Sequence, residues 1–246
     1  MILRRFIEHL KEQNWLAVGL DVVVVVVGLF LGFQVERWWS IERDEVAAYE
    51  RLADLDADLE WNFEILRRSI DTRLVQLESA TRLLNADREN AVALSGDDFY
   101  EALADVSRTL TPRFRSDAYD VLISSGQIDL IEAPELKAEL GEFFARIDEL
   151  LTFNQGTWAV HRNTFEPFVN RKLDHAWMLR KLHPDRFLEI DPSYDESQFF
   201  EVIGDGEFEG VIIQKRHALA DEVYRLHRIQ EGAMRIKSLL DQYLNR

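Results

Sequence analysis

Residues Trp15–Phe33 read WLAVGLDVVVVVVGLFLGF, an apolar run of nineteen residues with a single charge. At a rise of about 1.5 Å per residue, a helix of this length nearly spans the roughly 30 Å hydrocarbon core of a bilayer. Trp15 stands at one end, and Trp38 and Trp39 follow the other, where aromatic side chains favour the membrane interface. The stretch predicts a transmembrane helix over residues 15–35, with these three tryptophans as interfacial anchors.

Charged residues beside the apolar stretch predict its orientation. Basic residues are nearly balanced across it, but they outnumber the acids before it, whereas acids outnumber the arginines after it. Because positive charge is retained in the cytoplasm, we expect residues 1–14 to form a cytoplasmic tail. Residues 36–246 would then form a domain outside the cytoplasm, in the periplasm if the cell is Gram-negative. No small-x-small cleavage site follows the apolar run, so we expect an uncleaved anchor.

One face of the predicted membrane helix carries small residues and an acid. Ala17, Asp21, Gly28 and Gly32 share this face at helical spacing, and the two glycines form a GxxxG pair that lets helix backbones approach closely. The face predicts a site of membrane-helix association. Three interpretations of Asp21 stay open: a polar contact in a homo-oligomer or with a partner's helix, a side chain that reaches headgroup water, or part of an ion or proton path.

The charge of the chain excludes several classes of partner and chemistry. The formal net charge is -16, and the first 34 residues contribute nothing to it, so all the excess acid belongs to the domain after the span. Such a domain repels phosphate backbones and anionic headgroups, which argues against nucleic-acid binding. The sequence contains no cysteine, which excludes disulfides, thiolate metal sites and cysteine nucleophiles.

The apolar pattern after the span predicts one long helix over residues 36–90. No proline or glycine occurs between Gly32 and Gly96, so the membrane helix is expected to continue directly into it. Apolar residues recur at steps of three and four, which is the period of an α-helix. The predicted buried stripe consists of Leu52, Leu55, Leu59, Phe63, Leu66, Ile70, Leu74, Leu77 and Leu84.

Shorter helices are expected over residues 97–203, separated by glycine and proline. A helix that ends at Gly126 should be followed by one that begins at Pro134. Another is expected after Gly156, with an interruption near Pro167.

The chain ends with a predicted long helix over residues 210–244. No alternating apolar and polar stretch of useful length indicates a strand. The predicted fold is therefore all-α: a single N-terminal transmembrane helix that continues into a long helix, followed by an antiparallel helical bundle.

A search for catalytic and ligand-binding patterns finds no nucleotide, metalloprotease or hydrolase motif. His217 and Asp221 lie one turn apart on the last predicted helix, a spacing more typical of a surface ion pair than of two metal ligands. We therefore expect no enzyme activity, no metal and no cofactor. Five aromatic residues could line a ligand pocket, although such residues are more often core: Phe153, Trp158, Phe165, Phe168 and Trp177.

Two stretches of the chain are similar to an uncharacterised bacterial family of membrane-anchored proteins, a domain of unknown function with an N-terminal transmembrane segment. In the first, an acid and an apolar run lead to Gly28, Gln34 and Trp38. The second stretch comprises Tyr119, Asp120, Leu122, Ser125, Gly126, Leu130 and Ile131, followed by the helix that contains Leu136. One departure is Leu20, where the family usually has glycine. The resemblance implies a bacterial inner-membrane anchor and a similar fold, but no activity.

These observations lead to three hypotheses of function. The first is a membrane-anchored helical scaffold or accessory subunit that self-associates, or joins a larger membrane complex, through the face of Ala17, Asp21, Gly28 and Gly32. The second is an extracytoplasmic sensor or ligand-binding module, which requires an aromatic-lined cavity. The third is an oligomeric ion path through Asp21.

Overall fold

The computed structural model describes residues 15–86, 96–173, 182 and 201–244. The regular structure within these ranges is helical and contains no strand, which confirms the all-α prediction. The predicted N-terminal tail and Trp177 lie outside the described residues.

The first helix, α1, is a single element of 71 residues, Trp15–Asn85. Its apolar segment Val22–Ser40 is long and apolar enough to cross a membrane, and none of this segment is buried. The prediction that the apolar helix continues into a long helix is confirmed, because no proline or further glycine interrupts α1 after Gly32. At about 1.5 Å per residue α1 is about 105 Å long, so it contains the apolar segment and also forms the central helix of the bundle.

Five further helices and two short turns complete the described structure. They are α2 Gly96–Ser107, α3 Asp117–Ser124, a 3₁₀ turn Gln127–Leu130, α4 Pro134–Val160, a π-helical turn His161–Phe165, α5 Glu166–Lys172 and α6 Gly206–Leu244. Gly126 follows α3 with φ +73°, a left-handed conformation that glycine adopts without strain. Pro134 occupies the first turn of α4, where its missing N–H removes no helical hydrogen bond.

Two predicted boundaries differ from the structure because a single glycine does not by itself end a helix whose other turns are packed against the bundle. Helix α4 runs through Gly156 to Val160, and α6 begins at Gly206 and runs through Gly210. A glycine inside a helix costs about 1 kcal/mol, less than the packing of the flanking turns supplies. The expected interruption near Pro167 is a widened π-helical turn, after which Pro167 falls in the first turn of α5.

The bundle forms where α6 folds back along α1. Lys237 donates a hydrogen bond to Glu60 at 2.9 Å, and Arg73 donates to Glu222 at 2.7 Å, so positions rise along one helix as they fall along the other. Helix α4 also packs antiparallel against α6. These contacts confirm the predicted antiparallel bundle.

The core consists of two apolar clusters at different heights along α1. The lower cluster joins Leu52–Ile70 of α1 to α3, α4 and the second half of α6. The upper cluster joins Ala80 and Leu83 of α1 to α2, α5 and the first turns of α6. The buried α1 side chains between the clusters are polar: Arg73, Gln76 and Ser79. We call these three residues the polar layer.

The polar layer corrects the predicted apolar stripe of α1. Leu52, Leu55, Leu59, Leu66 and Ile70 are buried as predicted, but Leu74 is 47% exposed, and Arg73 points inward instead. Steps of three or four from Ile70 reach either Arg73 or Leu74, and the sequence pattern favoured the leucine. In the folded chain the arginine is the buried residue, because the carboxylate of Glu222 on α6 faces it.

Candidate functional site

The predicted association face lies on the exposed apolar part of α1. A Cβ atom placed on Gly28 or Gly32 would meet nothing within 4 Å, so both positions are open to a neighbouring helix. Gly19, on the opposite side of the helix, is equally open. The side chains of Ala17 and Asp21 lie outside the described residues.

The predicted interfacial anchors Trp38 and Trp39 are both exposed at the end of the apolar segment. Their rings meet edge to face, with centroids 6.3 Å apart. The side chain of Trp15 lies outside the described residues.

The polar layer is centred on a buried ion pair between Arg73 and Glu222. The guanidinium donates to both carboxylate oxygens, from Nε at 2.7 Å and from Nη2 at 3.0 Å, and also to Gln76 Oε1 at 2.9 Å and to the Leu110 carbonyl. Charge-assisted bonds in a bidentate geometry are the arrangement that compensates a buried charge. The layer therefore fixes α6 against α1 at one register.

The amide of Gln76 extends the polar layer to the end of α2. Its Nε2 donates to the carbonyls of Asp105 and Arg108 at 2.7 and 2.8 Å. The last carbonyls of a helix have no partner within the helix, so a buried helix end requires such donors. The loop after α2 is thereby held against α1.

A cavity of about 450 Å³ lies beside the polar layer, between α1, the loop after α2, α4 and α6. This volume is within the range of about 300–1,000 Å³ that is typical of small-molecule sites. Apolar side chains form much of its wall: Leu110, Phe153, Trp158, Val160 and Leu219. Phe153 and Trp158 are thus cavity residues, whereas Phe165 and Phe168 belong to the core.

Asn154 lies in the wall of this cavity with an unused amide. The residue is 4% exposed, and neither Oδ1 nor Nδ2 has a hydrogen-bond partner among the residues that the structure describes. A buried polar group without a partner costs about 1–3 kcal/mol. The folded chain bears this cost at a position beside a cavity.

Among the cationic residues that line the cavity, Lys215 has no carboxylate within ion-pair distance in the described part of the chain. It is partly buried, and its Nζ lies 5.4 Å from the centroid of the Phe165 ring. Burial, together with the positive charge of Arg73, lowers the pKa of Lys215 to about 8. At neutral pH the ammonium is therefore mostly protonated and only partly solvated.

His161 begins the π-helical turn behind this cation. Its ring stacks on Phe165 at a centroid distance of 5.0 Å, and its Nδ1 is buried with no partner in the described chain. Burial, and then the charge of Lys215, lowers the pKa of His161 to about 3, so the ring is neutral at physiological pH. Widened turns of this kind are frequent at functional sites.

Sequence reasoning gave no role to Arg73, Asn154 and Lys215, because a polar residue on a helix is most often exposed to solvent. The signal for Arg73 was the step of three from Ile70, which continues the buried stripe. His217 and Asp221 form an exposed ion pair at 3.8 Å at the rim of the cavity.

Comparison of the chain with protein-family models, with curated proteins and with solved structures found no match. The resemblance to a family of membrane-anchored proteins therefore stays a prediction.

Proposed function

We propose that this chain is a membrane-anchored helical scaffold or accessory subunit that self-associates, or joins a larger membrane complex, through its membrane helix. The observation that carries the proposal is the unburied apolar segment Val22–Ser40, which continues without a break into the part of α1 that lies in the bundle. An apolar helix that the bundle leaves uncovered requires another apolar environment, because exposing it to water is costly.

The shape of the apolar segment supports association as well as anchoring. Gly28 and Gly32 leave a shallow groove along one side of α1, and lipid chains fill such a groove less well than a second helix does. Asp21 shares this side by helical spacing, where a partner could satisfy its carboxyl group. The chain is proposed to be a homo-oligomer, or a subunit of a membrane complex, held through the face of Ala17, Asp21, Gly28 and Gly32.

The continuity of α1 supports a mechanical role for the anchor. A helix without a flexible joint transmits the orientation of the membrane segment to the bundle, so two associated membrane helices would align their bundles. Arg73 lies about 50 Å from Ser40 along α1 at 1.5 Å per residue, which separates the polar layer from the bilayer surface. The excess acid of the bundle favours this separation from anionic headgroups.

A reporter assay for membrane-helix association tests the proposal. Gly28→Leu and Gly32→Leu fill the groove without a clash inside the chain, so each should lower the association signal strongly. Gly19→Leu adds the same side chain on the opposite side of the helix and should leave the signal unchanged. Equal signals for all three variants and the unmodified segment would contradict association through this face.

The topology proposed is a cytoplasmic N-terminus with the bundle in the periplasm, in a bacterial inner membrane. Because the chain has no cysteine, single substitutions give unique labelling sites. Ser124→Cys, exposed at the end of α3, should react with a membrane-impermeant maleimide in spheroplasts. Gln13→Cys should react only after the membrane is permeabilised. The reverse pattern would place the bundle in the cytoplasm.

A further inference from the structure

We propose that the cavity between α1, α4 and α6 binds a small carboxylic acid with an apolar body, whose carboxylate pairs with Lys215 and accepts a hydrogen bond from the amide of Asn154. This inference is independent of the scaffold role, since the cavity is remote from the membrane segment. It rests on the wall of the cavity, on its charges and on the unused amide.

The wall of the cavity selects an apolar body. Phe153 and Trp158 of α4 face Leu219 of α6 across a space of about 450 Å³, and Leu110 adds a further apolar side. Trp158 is 38% exposed at this position, an exposure that a bound apolar group would reduce. Flat and branched hydrocarbon surfaces are the partners that such walls bind best.

The charges of the cavity favour an acid over a base, because its two carboxylates, Asp221 and Glu222, already face His217 and Arg73. The guanidinium of Arg73 is already occupied by Glu222, Gln76 and a backbone carbonyl, so it is not available to a ligand. Lys215 forms no ion pair within 4 Å in the described part of the chain, although the carboxylates of Glu222 and Glu166 act on it from further away, and it is partly removed from water. An anion that reaches this ammonium gains a charge-assisted hydrogen bond in a poorly solvated place.

Asn154 supplies the second point of recognition. Its amide offers both a donor and an acceptor, and the surrounding protein uses neither. A carboxylate oxygen can accept from Nδ2, and a hydroxyl on the ligand can donate to Oδ1. The ligand comes from the aqueous phase, because the cavity lies at the level of Arg73, far along α1 from the apolar segment.

Isothermal titration of the full chain in nanodiscs, with empty nanodiscs subtracted, tests the proposal. The probes are 1-naphthylacetate, the neutral 1-naphthylacetamide and the cationic 1-naphthylmethylamine, which share one body; octanoate tests whether an aliphatic body suffices. We expect the naphthyl acid to bind at least tenfold more tightly than its amide and its amine. Equal affinities for the three probes, or no binding by either acid, would overturn the proposal.

Three substitutions locate the site. Lys215→Gln should reduce acid affinity to that of the amide, whereas Lys137→Gln, near the start of α4 and outside the cavity, should leave it unchanged. Asn154→Leu should weaken binding at least fivefold while the melting temperature of the ligand-free chain stays equal or rises, because an unused buried amide is removed. Trp158→Ala, at a position that is 38% exposed, should also weaken binding. Acid binding that survives Lys215→Gln and Trp158→Ala would place the ligand elsewhere and overturn the proposal.

Discussion

Arg73 and Glu222 are 149 positions apart in the chain, yet the guanidinium of one donates to both carboxylate oxygens of the other at 2.7 and 3.0 Å. Both residues are 5% exposed. The pair lies between the two apolar clusters, so it is a buried contact that distinguishes the observed register of α6 on α1 from a register shifted by one turn. Between two apolar clusters, a buried ion pair of this kind contributes more to selecting one register of the helices than to the free energy of unfolding.

Breaking this pair from one side should be severe, because it leaves a buried charge without its partner. We expect Glu222→Gln to lower the free energy of unfolding by about 3–5 kcal/mol. The double variant Arg73→Met with Glu222→Leu should recover most of that loss, since two apolar residues of similar volume replace the pair. Chemical unfolding of the unmodified chain and the two variants in detergent, followed by circular dichroism, measures both changes in the free energy of unfolding. A double variant no more stable than Glu222→Gln would contradict this account.

Asn62 holds the loop before α3 through both of its amide atoms. Its Nδ2 donates to the Arg115 carbonyl at 2.9 Å, and its Oδ1 accepts from the Arg115 N–H at 2.8 Å. Asn62→Ala leaves the N–H and the carbonyl of Arg115 without partners and creates a small void. We therefore expect the free energy of unfolding to fall by about 2–3 kcal/mol. Asn163→Ala, at an exposed position of the π-helical turn, is the matched control and should change stability by less than about 0.5 kcal/mol.

His161 should make stability depend on pH. Burial lowers the pKa of the folded-state ring from 6.5 to about 3, so below about pH 6.5 the unfolded chain takes up a proton that the folded chain does not. The contribution of His161 to the free energy of unfolding is therefore fully present above pH 6.5 and is lost as the pH falls toward 3. Between pH 7 and 5.5 the loss from this residue should be about 1 kcal/mol.

The measurement for His161 is the difference in unfolding free energy between pH 7 and 5.5. His161→Leu should reduce that difference, because leucine does not titrate. His227→Leu, which removes an exposed histidine of α6, should leave it unchanged. A pH dependence that is identical in the two variants would show that His161 is protonated in the folded chain.

Gly126 and Gly210 should respond to alanine with opposite signs. Gly126 has φ +73°, where a Cβ atom is strained, so Gly126→Ala should cost about 1 kcal/mol. Gly210 lies inside α6 with space around it, so Gly210→Ala should stabilise the chain by up to about 1 kcal/mol. Thermal unfolding compares the two variants directly. A gain at Gly126 would show that the turn after α3 rearranges.

The features that depend on local pattern could be predicted from the amino-acid sequence. The period of the apolar residues and the absence of proline and glycine from Phe33 to Ser95 required α1 to be one helix, and Gly126 and Pro134 marked the ends of their helices. The apolar segment with its glycine pair was likewise evident from spacing alone. These predictions succeeded because a backbone conformation and a helical period are properties of neighbouring residues.

Which polar residues are buried depends on contacts between helices that are distant in the chain. Arg73 and Leu74 are both within reach of the stripe, and the choice between them depends on Glu222, which approaches only when α6 has folded back. The positions of Asn154 and Lys215 beside the cavity likewise depend on how α1, α4 and α6 pack together. Burial of a polar group is favourable only with a distant partner in place, and a local pattern carries no information about that partner.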